Sequence, residues 1–179
     1  MLDRSVPYYA EIQRMIGELA ADFAVDGSTI YDLGCSTANT FLAVGAMLRP
    51  EIDVRFVGLD SSQDMLAKAE QKLAAMRFPW SYRLMHQDLN DGLHIENASV
   101  AMMALTLQFI RPLNREAVVS SVYRGLNHNG CFLLVEKVPG YTVSKDLPKL
   151  GYKGVESCEL NFTDARVPAD ALLGGIEGR

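Results

Sequence analysis

The sequence predicts an α/β domain in which helices cover both faces of a mostly parallel sheet. Short apolar segments alternate with segments of helical spacing, as in a chain of β-α-β units. A glycine or an acidic residue follows each of the first three apolar segments, where the loops of such a sheet begin. The 179 residues are 49% hydrophobic and 22% charged, which is typical of a globular chain that buries its own core.

The elements follow from length and apolar periodicity. Segments with the length and content of buried strands are residues 29–33, 53–59, 81–85, 98–109 and 131–135. Segments with apolar residues on one helical face are residues 7–24, 39–48, 61–76 and 114–126. Pro50 ends the second helix, and Ser61 or Ser62 can cap the third. Right-handed connections between parallel strands then leave few topologies.

The sequence pattern of alternating strands and helices ends after Val138. Pro139 and Gly140 interrupt the alternation, and the remaining residues are glycine-rich apart from a strand-like segment over 155–162. We therefore expect two parts, a sheet domain over residues 1–138 and an atypical, β-containing tail over residues 139–179.

Charge and cysteine content restrict the class of protein. The net charge is −5 and lysines and arginines are scattered, which favours a small-molecule ligand over a nucleic acid. No run of about 18 apolar residues is present, so we expect no membrane span. The few, widely spaced thiols, Cys35, Cys131 and Cys158, indicate free cysteines in a reducing compartment, which predicts a cytoplasmic protein without a metal site.

Three residues carry the first functional hypothesis. Gly34 follows the first strand, and Asp60 and Asp88 follow the second and third. In a parallel sheet these positions share one edge, so together they predict an adenosine site in which Asp60 accepts hydrogen bonds from the ribose hydroxyls and Asp88 meets the adenine amino group. Taken singly, Gly34 is better explained by an ordinary turn and Asp88 by a solvated loop aspartate, whereas Asp60 can be a helix cap and a ribose acceptor at once.

The first turn helps to choose the cofactor. The glycine pattern of a dinucleotide site is incomplete because Ala38 stands where a further glycine is expected, and no Gly-Lys-Ser/Thr motif follows. A pyrophosphate needs closer backbone approach than this turn predicts, whereas S-adenosylmethionine has no phosphate. We expect Gly34 to let a ligand approach the backbone, and Ser36 or Thr37 to cap the next helix.

Several peptides resemble one family, the carboxy-S-adenosylmethionine synthases. They are residues 4–9 (RSVPYY), 31–36 (YDLGCS), 95–99 (IENAS), 106–109 (TLQF), 125–130 (GLNHNG) and 135–137 (VEK). The resemblance covers about residues 4–138 and implies a Rossmann-like class I methyltransferase fold, a three-layer sandwich that is truncated here at its C-terminal end. It also implies transfer of carboxylate carbon from prephenate to S-adenosylmethionine, giving carboxy-S-adenosylmethionine and phenylpyruvate.

The resemblance also implies a site and a setting. Its cofactor-binding positions fall on Tyr9, Gly34, Cys35, Ser36, Asp60, Ser61, Asp88 and Leu89. The family's cofactor-binding asparagine aligns with Ala104, and no residue here matches the arginine of its C-terminal part, so no catalytic residue is assigned. The family's product serves tRNA wobble uridine modification by a partner enzyme, and the resemblance suggests a homodimer that does not itself bind nucleic acid.

The tail has a separate resemblance. Residues 150–154 (LGYKG), 159–164 (ELNFTD), 166–168 (RVP) and 172–174 (LLG) resemble part of the middle β-domain of acyl-CoA dehydrogenases. This piece carries neither that family's catalytic glutamate nor its helical domains.

The residues leave other functions open. A methyltransferase acting on a small molecule, a cofactor-binding remnant without catalysis, and a nicotinamide-linked oxidoreductase are alternatives to the synthase. His86, His94 and His128 have no partners at metal or triad spacing, so surface or turn roles are expected for them. For Glu136 and Lys137 we expect an ordinary ion pair.

Overall fold

The computed structural model describes residues 6, 8–136, 141–146 and 158–162, and it divides the chain into two compact units, Met1–Glu136 and Lys137–Arg179. The first unit contains helices α1 (Tyr9–Phe23), α2 (Asn39–Met47), α3 (Gln63–Ala75) and α4 (Pro112–Gly125), and strands β1 (Ser28–Leu33), β2 (Val54–Asp60), β3 (Ser81–His86), β4 (Ala98–Ala104) and β5 (Leu126–Val135). In the second unit, β6 (Tyr141–Asp146) pairs antiparallel with β7 (Cys158–Phe162).

The five strands of the first unit form one parallel sheet in the order β3-β2-β1-β4-β5. The order reverses at β1, because the chain leaves it toward β2 and β3 and later returns to its other side with β4. In a sheet of this kind a crevice opens beyond the carboxyl ends of the strands at the reversal. The predicted three-layer α/β fold is confirmed.

Two apolar clusters cover opposite faces of the sheet. Alternate strand residues divide between them, Ile30 in one cluster and Tyr31 in the other, as the two-residue period of a strand requires. The first cluster also takes buried residues of α1, α2 and α3, and the second takes Val118 and Val122 of α4. Phe41 and Phe56 pack at the centre of the first cluster with ring centroids 4.9 Å apart.

Some predicted boundaries were wrong. The fourth strand ends at Ala104, not at Phe109, because Leu105 takes a left-handed conformation (φ 58°) and Leu107–Phe109 forms a 3₁₀ helix. The fifth begins at Leu126, five residues early, with an irregular register against β4. Strand β6 was not predicted. Among the described residues, no helix is both long and apolar enough to cross a bilayer.

Candidate functional site

A cleft of about 380 Å³ opens at the carboxyl ends of β1, β2 and β4. The eight residues predicted to bind a cofactor all line it: Tyr9, Gly34, Cys35, Ser36, Asp60, Ser61, Asp88 and Leu89. Residues up to 80 positions apart in the sequence are therefore brought to one place by the parallel sheet, although their individual roles in binding stay predictions.

Gly34 begins the turn after β1, and packing within the protein already accounts for its lack of a side chain, while the expected approach of a ligand stays a prediction. Its φ of 87° lies in the left-handed region, and a Cβ added there would stand 2.3 Å from Thr106 Oγ1. Thr106 follows β4, so two neighbouring loops meet at this glycine. Gly34 is required by this close packing within the protein, before any ligand is considered.

The amides of the turn are already hydrogen-bonded inside the protein. The N–H groups of Gly34 and Cys35 both donate to the Leu59 carbonyl oxygen, at 2.8 and 3.0 Å. The N–H of Ser36 donates to Asp60 Oδ2 at 2.8 Å. The turn therefore offers few of the free amides with which a phosphate-binding loop cradles its ligand.

The expected cap of α2 was wrong. The residue at the N-cap is Ala38, in a left-handed conformation (φ 59°), and it supplies no side-chain cap. Ser36 is also left-handed (φ 49°), and Thr37 accepts a hydrogen bond from Lys72. In α3, by contrast, Ser62 is the N-cap, and its hydroxyl accepts from the Met65 N–H at 3.4 Å.

Asp60 lies between two backbone segments of the cleft. While Oδ2 accepts from Ser36, Oδ1 accepts from the Ser62 N–H at 2.8 Å. A carboxylate oxygen can accept more than one hydrogen bond, so the group retains capacity for hydroxyl donors of a ligand. Both explanations considered for Asp60 are therefore compatible, since one carboxylate can hold the turn and face the cleft.

Asp88 holds the loop after β3. Its Oδ1 accepts from the backbone N–H and the side-chain Nδ2 of Asn90, at 2.8 and 2.9 Å. These bonds to the ionised form hold the pKa of the Asp88 carboxyl below its usual range. No protein donor to Oδ2 occurs among the described residues, so this oxygen can face a ligand. Leu89, next to it, is buried and gives the cleft an apolar wall.

Behind the cleft lies a buried acid that sequence reasoning did not single out. Asp32 is 1% exposed, and its Oδ2 has no hydrogen-bond partner among the residues that the structure describes. Burial and, next, the charge of Asp60 raise the pKa of Asp32 from 3.8 to about 7, against a smaller opposite effect of a hydrogen bond with Thr40. Burial and the same two carboxylates raise the pKa of the Cys35 thiol, so this cysteine stays protonated at neutral pH.

Four polar side chains form a chain of hydrogen bonds near the start of α2. Lys72 Nζ donates to Asn39 Oδ1 at 2.6 Å and to Thr37 Oγ1 at 2.8 Å. Asn39 Nδ2 donates in turn to the Tyr9 hydroxyl at 3.1 Å. Of these residues only Tyr9 was predicted to bind the cofactor, because no local pattern links positions so far apart. Gln13, one turn after Tyr9 on α1, also lines the cleft, and its buried Oε1 has no partner in the described part of the chain.

The remaining candidates lie at the margins. His86 Nε2 is 2.9 Å from the Ser61 carbonyl oxygen, and His94 forms an exposed contact with Glu96 at 3.7 Å. The carboxylate of Glu136 accepts from the Leu107 N–H. The ion pair expected for Glu136 and Lys137 stays a prediction, because Lys137 lies outside the described residues. Within the described ranges no three His, Cys, Asp or Glu side chains are grouped to hold a metal ion.

The charge of the cleft is one-sided. Among the described residues that line it, Asp60 and Asp88 are acidic and none is Lys, Arg or His. Such a lining favours a ligand with a positive charge and hydroxyl or amino donors, and it opposes a phosphate.

Residues 30–130 match the model of a family described as a methyltransferase domain. The chain belongs to this methyltransferase-domain family. The domain is 50% identical over 140 residues to a carboxy-S-adenosyl-L-methionine synthase of Methylococcus capsulatus, a match that covers 78% of this chain and 57% of that protein. It is 36% identical over 138 residues to the synthase of a Shewanella species, covering 77% of this chain and 56% of that one.

The predicted resemblance to these synthases is confirmed for the first unit. The chain spans somewhat over half the length of the curated relatives it matches. The resemblance proposed for the tail, which lies mostly outside the described residues, stays a prediction.

Solved structures agree on the fold of the methyltransferase domain. An S-adenosylmethionine-dependent methyltransferase of Clostridium acetobutylicum has a TM-score of 0.59 at 20% identity, covering 74% of this chain and 52% of that one. A methyltransferase of Geobacter sulfurreducens, solved with S-adenosyl-L-homocysteine, has a TM-score of 0.55 at 17% identity, covering 79% and 66%. At sequence identities of 17–20%, this structural similarity supports the class I methyltransferase fold alone.

Proposed function

We propose that the cleft binds S-adenosylmethionine and that this chain forms the cofactor-binding part of a carboxy-S-adenosylmethionine synthase. The observation that carries the proposal is the position of Asp60, whose carboxylate joins the β1 turn to the start of α3 inside a cleft. None of the residues that the structure describes in the lining of this cleft is basic. A carboxylate with unused acceptor capacity at the carboxyl end of β2 suits the two hydroxyls of a ribose.

The residues present fit S-adenosylmethionine better than a dinucleotide. Its sulfonium and ammonium groups are positively charged, so the negative electrostatic potential of Asp60 and Asp88 would stabilise them in the cleft. A pyrophosphate would be repelled by those carboxylates, and the amides of Gly34, Cys35 and Ser36 are already used. Leu89 would cover one face of the adenine ring, while the free oxygen of Asp88 would accept from the adenine amino group.

The proposed reaction balances as a carboxyl transfer. Prephenate gives up its ring carboxylate as carbon dioxide and its ring hydroxyl as hydroxide, which leaves phenylpyruvate. The hydroxide takes one methyl proton from S-adenosylmethionine and leaves as water, and the methyl carbon forms a bond to the carbon of carbon dioxide. In this scheme the protein needs to hold the reactants and exclude bulk water, and no side chain has to act as the base.

A second candidate is methyl transfer to another small molecule. The observation that favours it is the lack of a cationic side chain among the described residues that line the cleft, because prephenate carries two carboxylates. Ala104, at the position of the family's asparagine, likewise offers no side-chain hydrogen bond to a cofactor and would suit a protein that binds without turnover.

One experiment separates these functions. The full chain is incubated with methyl-labelled S-adenosylmethionine, with and without prephenate. The masses of the adenosyl products are then measured by mass spectrometry. The proposal expects a prephenate-dependent product heavier by the mass of carbon dioxide. S-adenosylhomocysteine formed with an added acceptor would instead indicate a methyltransferase, and binding with no product would indicate a remnant.

The cellular setting is proposed on the same basis. We expect a cytoplasmic protein, acting as a homodimer, whose product supplies tRNA wobble uridine modification by a partner enzyme. The net charge of −5 suits a step that handles only small molecules and leaves the RNA to that partner.

A further inference from the structure

Lys72 is an unusual lysine for its position on α3. Its ammonium group donates to two neutral side chains, Thr37 and Asn39, and it forms no ion pair with any residue that the structure describes. Lys72 does not itself line the cleft, but both of its partners do. The lysine therefore acts on the cleft through the residues that it holds.

The direction of the hydrogen bonds follows from the chemistry of lysine. An ammonium group can donate but cannot accept, so the atom of Asn39 that faces Lys72 must be the carbonyl oxygen, Oδ1. The other end of the same planar amide, Nδ2, must then face Tyr9 and donate to its hydroxyl oxygen. With this oxygen already accepting, the hydroxyl proton of Tyr9 is free to be donated to an acceptor in the cleft.

The acceptor that suits this donor is an anion. Tyr9 enters the cleft from α1, whereas Asp60 and Asp88 follow β2 and β3. A ligand with one carboxylate gains by keeping it away from those two aspartates and placing it beside a neutral donor, the Tyr9 hydroxyl. In the proposed cofactor, that group is the carboxylate of the amino-acid end.

We propose that Lys72 is a positioning residue that, through Asn39, orients the Tyr9 hydroxyl as a hydrogen-bond donor to the carboxylate of a bound amino-acid-bearing nucleoside. This inference rests on the proposed function, and it adds the end of the ligand that the α1 side of the cleft recognises. Lys72 and Asn39 were not among the residues assigned from the family resemblance.

The test compares two ligands that differ at the amino-acid end. Calorimetry measures the affinity of the full chain for S-adenosylhomocysteine and for 5′-methylthioadenosine, which has no carboxylate. Lys72→Met is expected to lower the affinity for S-adenosylhomocysteine by about tenfold, which is the effect of losing one hydrogen bond to a charged group. Its affinity for methylthioadenosine is expected to stay within about twofold of the wild-type value. Lys72→Arg, which can still donate to Asn39, is expected to restore most of the loss.

Two further variants separate positioning from simple packing. Lys68→Met removes an exposed lysine one turn earlier on α3 and is expected to change neither affinity. Tyr9→Phe is expected to lower the affinity for S-adenosylhomocysteine as much as Lys72→Met does. When Lys72→Met is added to Tyr9→Phe, the affinity should fall little further. Circular dichroism melting of each variant shows that the fold is retained.

The outcomes distinguish this inference from the proposed function. If the wild-type protein binds neither nucleoside, the proposed function is overturned and this inference with it. If the wild-type protein binds both, and Lys72→Met weakens both equally or adds its full effect to that of Tyr9→Phe, Lys72 does not act through Tyr9 and only this inference is overturned.

Discussion

Asp60 and Ser36 are joined in the lining of the cleft by a 2.8 Å hydrogen bond from the Ser36 N–H to Asp60 Oδ2. The bond connects the loop after β2 with the turn after β1, so one carboxylate fixes the shape of two cleft walls. A residue placed in this way affects both the stability of the site and its affinity for a ligand, and the two effects can be measured separately.

Asp60→Asn is expected to lower the affinity for S-adenosylhomocysteine at least about tenfold. It should also lower the free energy of unfolding by about 1–3 kcal/mol, because an amide cannot accept from both Ser36 and Ser62 with its two ends. Calorimetry and denaturant unfolding measure the two quantities. The control is Asp64→Asn, an exposed carboxylate in the first turn of α3. Unchanged affinity in Asp60→Asn would remove the basis of the proposed ribose site.

Gly34→Ala is expected to destabilise the protein by about 2–5 kcal/mol, since the new Cβ combines left-handed strain with overlap on Thr106. Gly27→Ala is a matched control. Gly27 is also left-handed (φ 72°), but nothing lies within 4 Å of its added Cβ, so about 1 kcal/mol is expected. Denaturant unfolding compares the two variants, and equal losses would show that contact with Thr106 is not what requires glycine at position 34.

The stability of the protein should fall as pH rises toward neutrality because of Asp32. Its pKa is about 7 in the folded protein and 3.8 ordinarily, so between these values the folded state binds the additional proton. The stabilisation is complete below pH 3.8 and lost as pH rises through 7, by at most about 4 kcal/mol at about 1.4 kcal/mol per pKa unit.

Asp32→Asn tests this dependence because the amide cannot ionise. Unfolding free energies at several pH values between 4 and 8 should decline less steeply in Asp32→Asn than in the wild-type protein. Asp22→Asn, which removes an exposed carboxylate on α1, should leave the slope unchanged. Parallel curves for Asp32→Asn and the wild-type protein would contradict the assigned protonation of Asp32.

The Cys35 thiol should resist alkylation in the folded protein. It is 4% exposed and its pKa is raised by burial and by Asp32 and Asp60, so little reactive thiolate forms. Iodoacetamide labelling followed by peptide mass spectrometry should modify the half-buried Cys131 before Cys35, and Cys35 only under unfolding conditions. Cys131→Ser serves as the control for assigning the peptides. Rapid labelling of Cys35 in native buffer would show that the cleft opens more than its burial suggests.

Much of the fold was predictable because it depends on local pattern. Alternating apolar segments predicted all five strands of the parallel sheet, and the order of the elements brought Gly34, Asp60 and Asp88 to one edge. The details that depend on contacts between distant residues were not predictable. No residue near Gly34 in the sequence predicts its contact with Thr106, and no spacing rule predicts the hydrogen bonds that connect Lys72 with Asn39 and Tyr9.

Errors at the ends of elements have a similar cause. Leu105 and Ala38 adopt left-handed conformations that their residue types disfavour, because the surrounding loops impose them. A prediction from apolar content alone therefore extended the fourth strand to Phe109. A prediction from hydroxyl side chains alone placed the helix cap at Ser36 or Thr37. In both cases tertiary packing decided the backbone.

The hydrogen bond between Glu136 and the Leu107 N–H joins the last residue of the first unit to a cleft-lining loop. The chain leaves this unit directly after that residue. Without the Glu136 carboxylate that N–H would lose its partner, and the loop that carries Thr106 and Phe109 in the cleft lining would be held less firmly. The last residue of the sheet unit therefore contributes to the shape of its own ligand site.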